Sequence, residues 1–184
     1  FCFFANAQKV NIVSYTFDDE RFALPKFSSV MRSDSTDFGI ENGKYSFQNF
    51  HQKKGVAKWV NYSFGLNKNA NTSYKASVIQ LSGPQDYSYG MVVNVENGSN
   101  YILFGIASNG YYLIEAVKSG VVTKVSNGWV KSSLIKTGYN AMNDLYIEKA
   151  GNEYQFMLND VKVANSVINL TNFSPKAGIF ANSN

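Results

Sequence analysis

Between residues 86 and 126 the chain reverses at short, regular intervals. Runs rich in β-branched and aromatic residues at 90–96, 101–107 and 111–118 are separated by Asn97-Gly98-Ser99-Asn100 and Ser108-Asn109-Gly110. A fourth run, 121–126, follows Ser119-Gly120. Runs of this length parted by Asn-Gly and Ser-Gly turns read as a meander of antiparallel strands. Turns this tight set the register, and successive side chains of a strand point to opposite sides. Met91, Val93, Val95, Ile102, Phe104, Ile106, Tyr112, Ile114 and Ala116 then share one wholly apolar face. The other face carries Val92, Asn94, Glu96, Tyr101, Leu103, Tyr111, Leu113, Glu115 and Val117, half apolar and half hydrogen-bonding. The first face is read as core and the second as a binding surface.

The same alternation extends to both sides of the meander. Strands are expected at Asn11–Phe17, Lys44–Phe50, Lys58–Phe64 and Tyr74–Leu81, with residues 32–42 as a loop or short edge. Beyond the meander, Leu145–Lys149 and Glu153–Leu158 pair across Gly151-Asn152, and Asn159-Asp160 turns the chain into Val161–Ala164. Leu145, Ile147, Phe156, Leu158, Val161 and Val163 form a second apolar surface able to close over the first. No stretch of ten residues carries apolar positions at helical spacing. The fold class is therefore all-β: two antiparallel sheets stacked as a sandwich, in one domain over residues 8–184.

The N-terminus reads differently. Phe1-Cys2-Phe3-Phe4 followed by Ala5-Asn6-Ala7 matches the end of a secretory signal, a greasy run closing on small residues. Residues 1–7 are expected to be its remnant, cleavage leaving Gln8 first, and the protein is expected outside the cell or in its envelope. A rival reading makes Cys2 a lipidated cysteine. If Cys2 is removed the mature chain has no thiol, which excludes disulfides, thiolate metal sites and cysteine nucleophiles together. The formal charge of +4 comes from scattered lysines, with Lys53-Lys54 the one adjacent basic pair. That argues against a nucleic-acid partner, which needs a basic stripe or patch. No apolar run reaches the roughly 18 residues of a membrane span.

In order, Tyr89-Gly90-Met91-Val92-Val93, Tyr101–Ile106 and Asn109–Ile114 are followed by Trp129, Ser132–Ile135, Gly138, Asn143–Ile147, Gly151, Phe156–Asp160 and Ala177-Gly178-Ile179-Phe180. This series resembles the concanavalin A-like lectin/glucanase superfamily, and within it the laminin-G-like jelly rolls of secreted bacterial proteins. The resemblance implies a jelly-roll sandwich with one more strand after residue 180, so the domain is expected to be truncated at its C-terminal strand, and further domains of a longer chain are expected partners.

The superfamily includes glycosidases, whose E-x-D-x-x-E arrangement of acids is absent here. Glu96 and Glu115, the acids on the mixed face, are expected ~12 Å apart. Retaining cleavage uses carboxyls about 5.5 Å apart and inverting cleavage about 6.5 to 9.5 Å. Glu115 instead falls opposite Lys124 across the Ser119-Gly120 turn, as a cross-strand ion pair. His51, the sole histidine, has no acid or nucleophile fixed beside it in sequence, so it is read as a surface residue. Relatives of the laminin-G type hold calcium at a loop rim, and Asp18-Asp19-Glu20 would supply oxygens for a structural Ca²⁺. That segment lacks the alternating acids and glycine of a dedicated loop, so an acidic turn is the preferred reading and no cofactor is expected.

Sugars present C–H faces that stack on aromatic rings and hydroxyls that need polar partners. Asn94, Glu96, Tyr101, Tyr111 and Glu115 are accordingly the expected ligand-binding residues, with a glycan or cell-surface polysaccharide as partner. Packing is weighed ahead of ligand contact for each aromatic, and Trp59 and Trp129 are read as core anchors or loop clamps. The functional expectation is a secreted, non-catalytic carbohydrate-binding module. A glycoside hydrolase of the same superfamily and a protein-interaction module of a surface protein are the alternatives.

Overall fold

The computed structural model describes residues 71–170, 174 and 176–182, together with the strand backbones at 36–41, 44–49 and 56–59. The signal remnant, the expected first strand, Asp18-Asp19-Glu20, His51, Lys53-Lys54 and the side chain of Trp59 lie outside these residues. Every regular element among the described residues is a strand.

Two of them, β1 (Thr36–Glu41) and β2 (Lys44–Asn49), pair only with each other. The 32–42 stretch read as a loop or short edge thus contains a strand. The rest are β3 (Val56–Trp59), β4 (Thr72–Val78), β5 (Ser88–Asn97), β6 (Asn100–Ala107), β7 (Tyr111–Lys118), β8 (Val121–Lys124), β9 (Val130–Lys131), β10 (Asn143–Ala150), β11 (Glu153–Leu158), β12 (Val161–Val167) and β13 (Ala177–Ala181). The larger sheet runs β3-β13-β5-β6-β7-β8, with β9 also paired to β7, and the smaller runs β12-β11-β10-β4. The meander is β5 to β8. Its Ser119-Gly120 turn has both residues in the left-handed region, at φ 50 and 78°, the geometry that matches strand twist in a two-residue hairpin.

Met91, Val93, Ile102, Phe104, Ile106, Tyr112, Ile114 and Ala116 from the larger sheet are buried in one cluster with Leu145, Ile147, Tyr154, Phe156 and Leu158 from the smaller. The rings of Phe104 and Phe156 meet across the interface edge to face, 5.7 Å apart at 85°, the arrangement aromatic quadrupoles favour. The two expected apolar faces therefore close on each other.

Two valines depart from expectation. Val93 opposes Ile102 but Asn97 opposes Asn100, so residues 94–96 of β5 face Tyr101 alone. Asn94, at φ 51°, marks this irregularity, as asparagine tolerates the left-handed region better than most residues. The alternation is broken there, and Val95 leaves the main core for a second buried cluster with Val92 and Phe180. Val161, expected in the core, is 46% exposed. It stands first on the edge strand β12, whose ladder with β11 shifts register between Phe156 and Met157. The shift brings Val163 and Ala164 against the core instead.

Candidate functional site

The outer face of the larger sheet is divided in two. One row across it runs Val92, Leu103, Glu115, Lys124, and the next Phe180, Gly90, Gly105, Leu113. On the β13–β5 side this face is closed: Val92, Val95 and Phe180 are buried, and the Phe180 ring covers Gly105, where a Cβ would lie 2.6 Å from it. Towards β7 and β8 it opens. Tyr111, Leu113 and Glu115 are half-buried and Lys124 and Lys131 exposed.

The residues expected to bind ligand do not stay together. Asn94 is fully buried. Its Oδ1 accepts from the Tyr74 hydroxyl at 2.7 Å and its Nδ2 donates to the Tyr154 hydroxyl, so it faces the sandwich interior. That corrects its expected place on the binding surface. An unsatisfied amide there would cost about 1–3 kcal/mol, and the two tyrosines remove the penalty. Burial pushes both phenols up, Tyr154 to about 12.

Glu96 falls in the same irregular stretch, yet keeps its expected offset from Glu115. Tyr101, which residues 94–96 face, opposes Val117, two positions from Glu115, so at ~4.8 Å per strand and ~3.4 Å per residue the two acids lie ~12 Å apart. That is further than either glycosidase geometry allows.

Tyr101, Tyr111 and Glu115 keep the outward face. Tyr101 opposes Val117, six positions along β7 from Tyr111, so the two rings lie roughly 20 Å apart. No single sugar spans them. Glu115 does oppose Lys124, as the hairpin spacing predicts. Burial raises its carboxyl pKa, with Lys124 pulling the other way. The Tyr101 phenol is raised by burial and, secondarily, by the Glu115 charge.

A further residue belongs to this open half. Trp129, read from sequence as a core anchor or clamp, is 43% exposed. Val130 packs on the main core, and alternation directs its neighbours Trp129 and Lys131 outward. Lys131 opposes Tyr111, and the Lys124 ammonium approaches Gly128, next to Trp129.

The backbone presenting Trp129 is fixed by a buried serine. Ser126 Oγ accepts from the Ile114 amide at 2.8 Å and donates to the Gly128 carbonyl at 2.8 Å. Gly128 N–H bonds back to Ser126 O at 2.8 Å. The exposed indole is therefore carried on a hydrogen-bonded loop that follows β8, next to a strip of sheet bearing Tyr111, Leu113, Glu115, Lys124 and Lys131. Such a strip can stack an apolar sugar face and hydrogen-bond its hydroxyls. Among the described residues no group of three or more His, Cys, Asp or Glu side chains is placed to hold a metal ion, and no helix is long and apolar enough to cross a membrane.

No protein-family model matches the sequence, and no curated protein is similar to it. Solved structures are similar in fold. The carbohydrate binding module CBM66 from Bacillus subtilis superposes with a TM-score of 0.51 at 12% identity, over 83% of this chain and 77% of that one. Sheep galectin-11 gives 0.47 at 12%, over 71% and 91%, and the Caenorhabditis elegans galectin LEC-6 gives 0.44 at 10%, over 83% and 97%. The fold is a two-sheet antiparallel β-sandwich like that of this carbohydrate binding module.

Proposed function

We propose that this domain is a non-catalytic carbohydrate-binding module that takes an extended glycan along the open half of its larger sheet. The observation that carries the reading is Trp129. A tryptophan exposed to this degree, on a loop stapled by Ser126 and beside Glu115, Lys124 and Lys131, is pre-organised for stacking. Tyr111 and Tyr101 extend the strip in both directions. Their separation suits several sugar units running along β7 better than one. The fold shared with a carbohydrate binding module supports the scaffold, while the argument for binding rests on these side chains. On this reading the protein acts outside the cell or in its envelope, and its mature form begins at Gln8.

A protein-docking role has an observation of its own. Strand β8 lies at the edge of the larger sheet and is exposed at all four residues, and an open edge of this kind can pair with an added strand. A glycan array probed with the protein, followed by tryptophan-fluorescence titration of the hits, separates the two. Saturable binding of an oligosaccharide with a change in indole emission is expected. Silence across neutral and acidic polysaccharides alike overturns the carbohydrate reading in favour of a protein partner.

A further inference from the structure

The outer face of the smaller sheet carries an aromatic centre of its own. Tyr146 stands in the middle of it, opposite Lys75 on β4 and Met157 on β11. Around it lies a depression of about 200 Å³ lined by Lys75, Asp144, Tyr146, Met157 and Asp160. Asp144 is held in place. Asp144 Oδ1 accepts from Ser77 Oγ at 2.5 Å, and its Oδ2 lies 3.6 Å from Lys75 Nζ. Asp160 sits in the two-residue turn with Asn159, at φ 66°. The Asn159 side chain fixes that turn, accepting from the Asp144 backbone N–H at 2.8 Å and donating to Leu134 O at 2.7 Å and Asn143 Oδ1 at 2.9 Å. The backbones bearing the two carboxylates are therefore tied to each other through one asparagine, which limits their relative motion. A ring edged by one held carboxylate, a second on a tied turn and an ammonium is an arrangement that ordinary surface solvation does not require.

We propose that this depression is a second carbohydrate contact, taking a single neutral sugar ring stacked on Tyr146 and Met157 with its hydroxyls on Asp144, Asp160 and Lys75. The inference rests on the carbohydrate reading of the larger sheet and adds a second, oppositely directed face to it. The lining carries two carboxylates and one ammonium, with Lys162 opposite Met157 beside it, so it offers an anionic sugar no cationic excess and suits a neutral ring. Lys75 already neutralises Asp144, which disfavours a metal ion in the same place. The volume is below the 300–1,000 Å³ typical of ligand pockets, so the contact is weak alone. Its effect comes through linkage, because a polymer held at the front raises the local sugar concentration for any second contact. A module with two opposed faces joins separate chains of one polysaccharide.

The test is an amide-shift titration of the full chain with neutral gluco-, galacto-, manno- and fructo-oligosaccharides, for wild type, Tyr146→Ala, Tyr146→Phe and Trp129→Ala. The expected result is two groups of shifted amides, one around β7–β9 and one around β10. Tyr146→Ala weakens the second at least ten-fold and leaves the first, whereas Tyr146→Phe keeps both. Turbidity of a neutral polysaccharide mixed with the protein should disappear in either alanine variant. Shifts confined to β7–β9, unchanged in Tyr146→Ala, overturn the second contact and leave the first standing. Shifts confined to β10 do the reverse. No shifts with any oligosaccharide remove both.

Discussion

The two halves of the larger sheet's outer face are built from the same alternating strands yet end in opposite states. On the β13–β5 side, Val92, Val95 and Phe180 form a sealed apolar cluster. At the far edge, beyond β6 and β7, Trp129, Lys124 and Lys131 stand in solvent. What separates them is local. Asn94 breaks the alternation of β5 and sends Val95 outward into the sealed half, while Ser126 breaks the path of the chain after β8 and lifts Trp129 over the open half. One irregularity stabilises and the other presents. A sheet face is thus a mosaic, and its average hydrophobicity says little about where a ligand can sit.

This contrast can be broken at either irregularity. The largest effect is expected from Asn94→Ala, which strands the Tyr74 and Tyr154 hydroxyls and places an unsuited residue at positive φ. Stability should fall by about 2–4 kcal/mol in urea denaturation. Asn94→Gly should recover the backbone part alone, and a fall as small as a surface substitution's would contradict the buried network. The same network predicts an alkaline limit. Tyr74 and Tyr154 hold their protons to higher pH when folded than when unfolded. Their contribution is therefore whole below the unfolded value of about 10 and is lost as pH rises through the folded values. The slope should reach about 1.4 kcal/mol per pH unit for each tyrosine, read from unfolding midpoints and tyrosinate absorbance.

At the open half the balance should invert. Trp129→Ala is expected to weaken glycan binding at least ten-fold, about 1.4 kcal/mol, while thermal stability changes little, as measured by calorimetry of binding and of unfolding. The smallest effect is reserved for Glu115. Its carboxyl pKa is raised in the fold, so the native state holds that proton more tightly and Glu115 is a slight cost at neutral pH, relieved on acidification. Glu115→Gln should raise stability at pH 7 by no more than about 0.5 kcal/mol. A clear loss instead would give the Lys124 pair more weight than its partial exposure allows.

Much of the fold was legible because the relevant information is local. Two-residue turns fix which residues face each other, and period-two alternation assigns Phe104, Ile114, Leu145 and Phe156 to a shared interior without any knowledge of long-range pairing. The opposition of Glu115 and Lys124 follows from Ser119-Gly120 in the same way. Asn94 was not legible: an asparagine between valines looks like a solvent-facing position, and its role depends on two hydroxyls brought from β4 and β11. Its tolerance of left-handed backbone was the available signal. Trp129 lay in a stretch with no period to assign a face. Tyr146 lies on the outward side of β10, whose neighbours β4 and β11 come from distant and adjacent parts of the chain and gather Lys75 and Met157 beside it only after the sheet forms.

Strand β13 enters the larger sheet between β3 and β5, although it is made after both. Hairpins β5 to β8 can zip up as soon as they are synthesised, but the flank of β5 stays an open template for foreign strands until residues 177–181 arrive. Closure of that flank therefore waits until residues 177–181 have been translated. For this flank, exposure to foreign strands belongs to the interval before β13 docks.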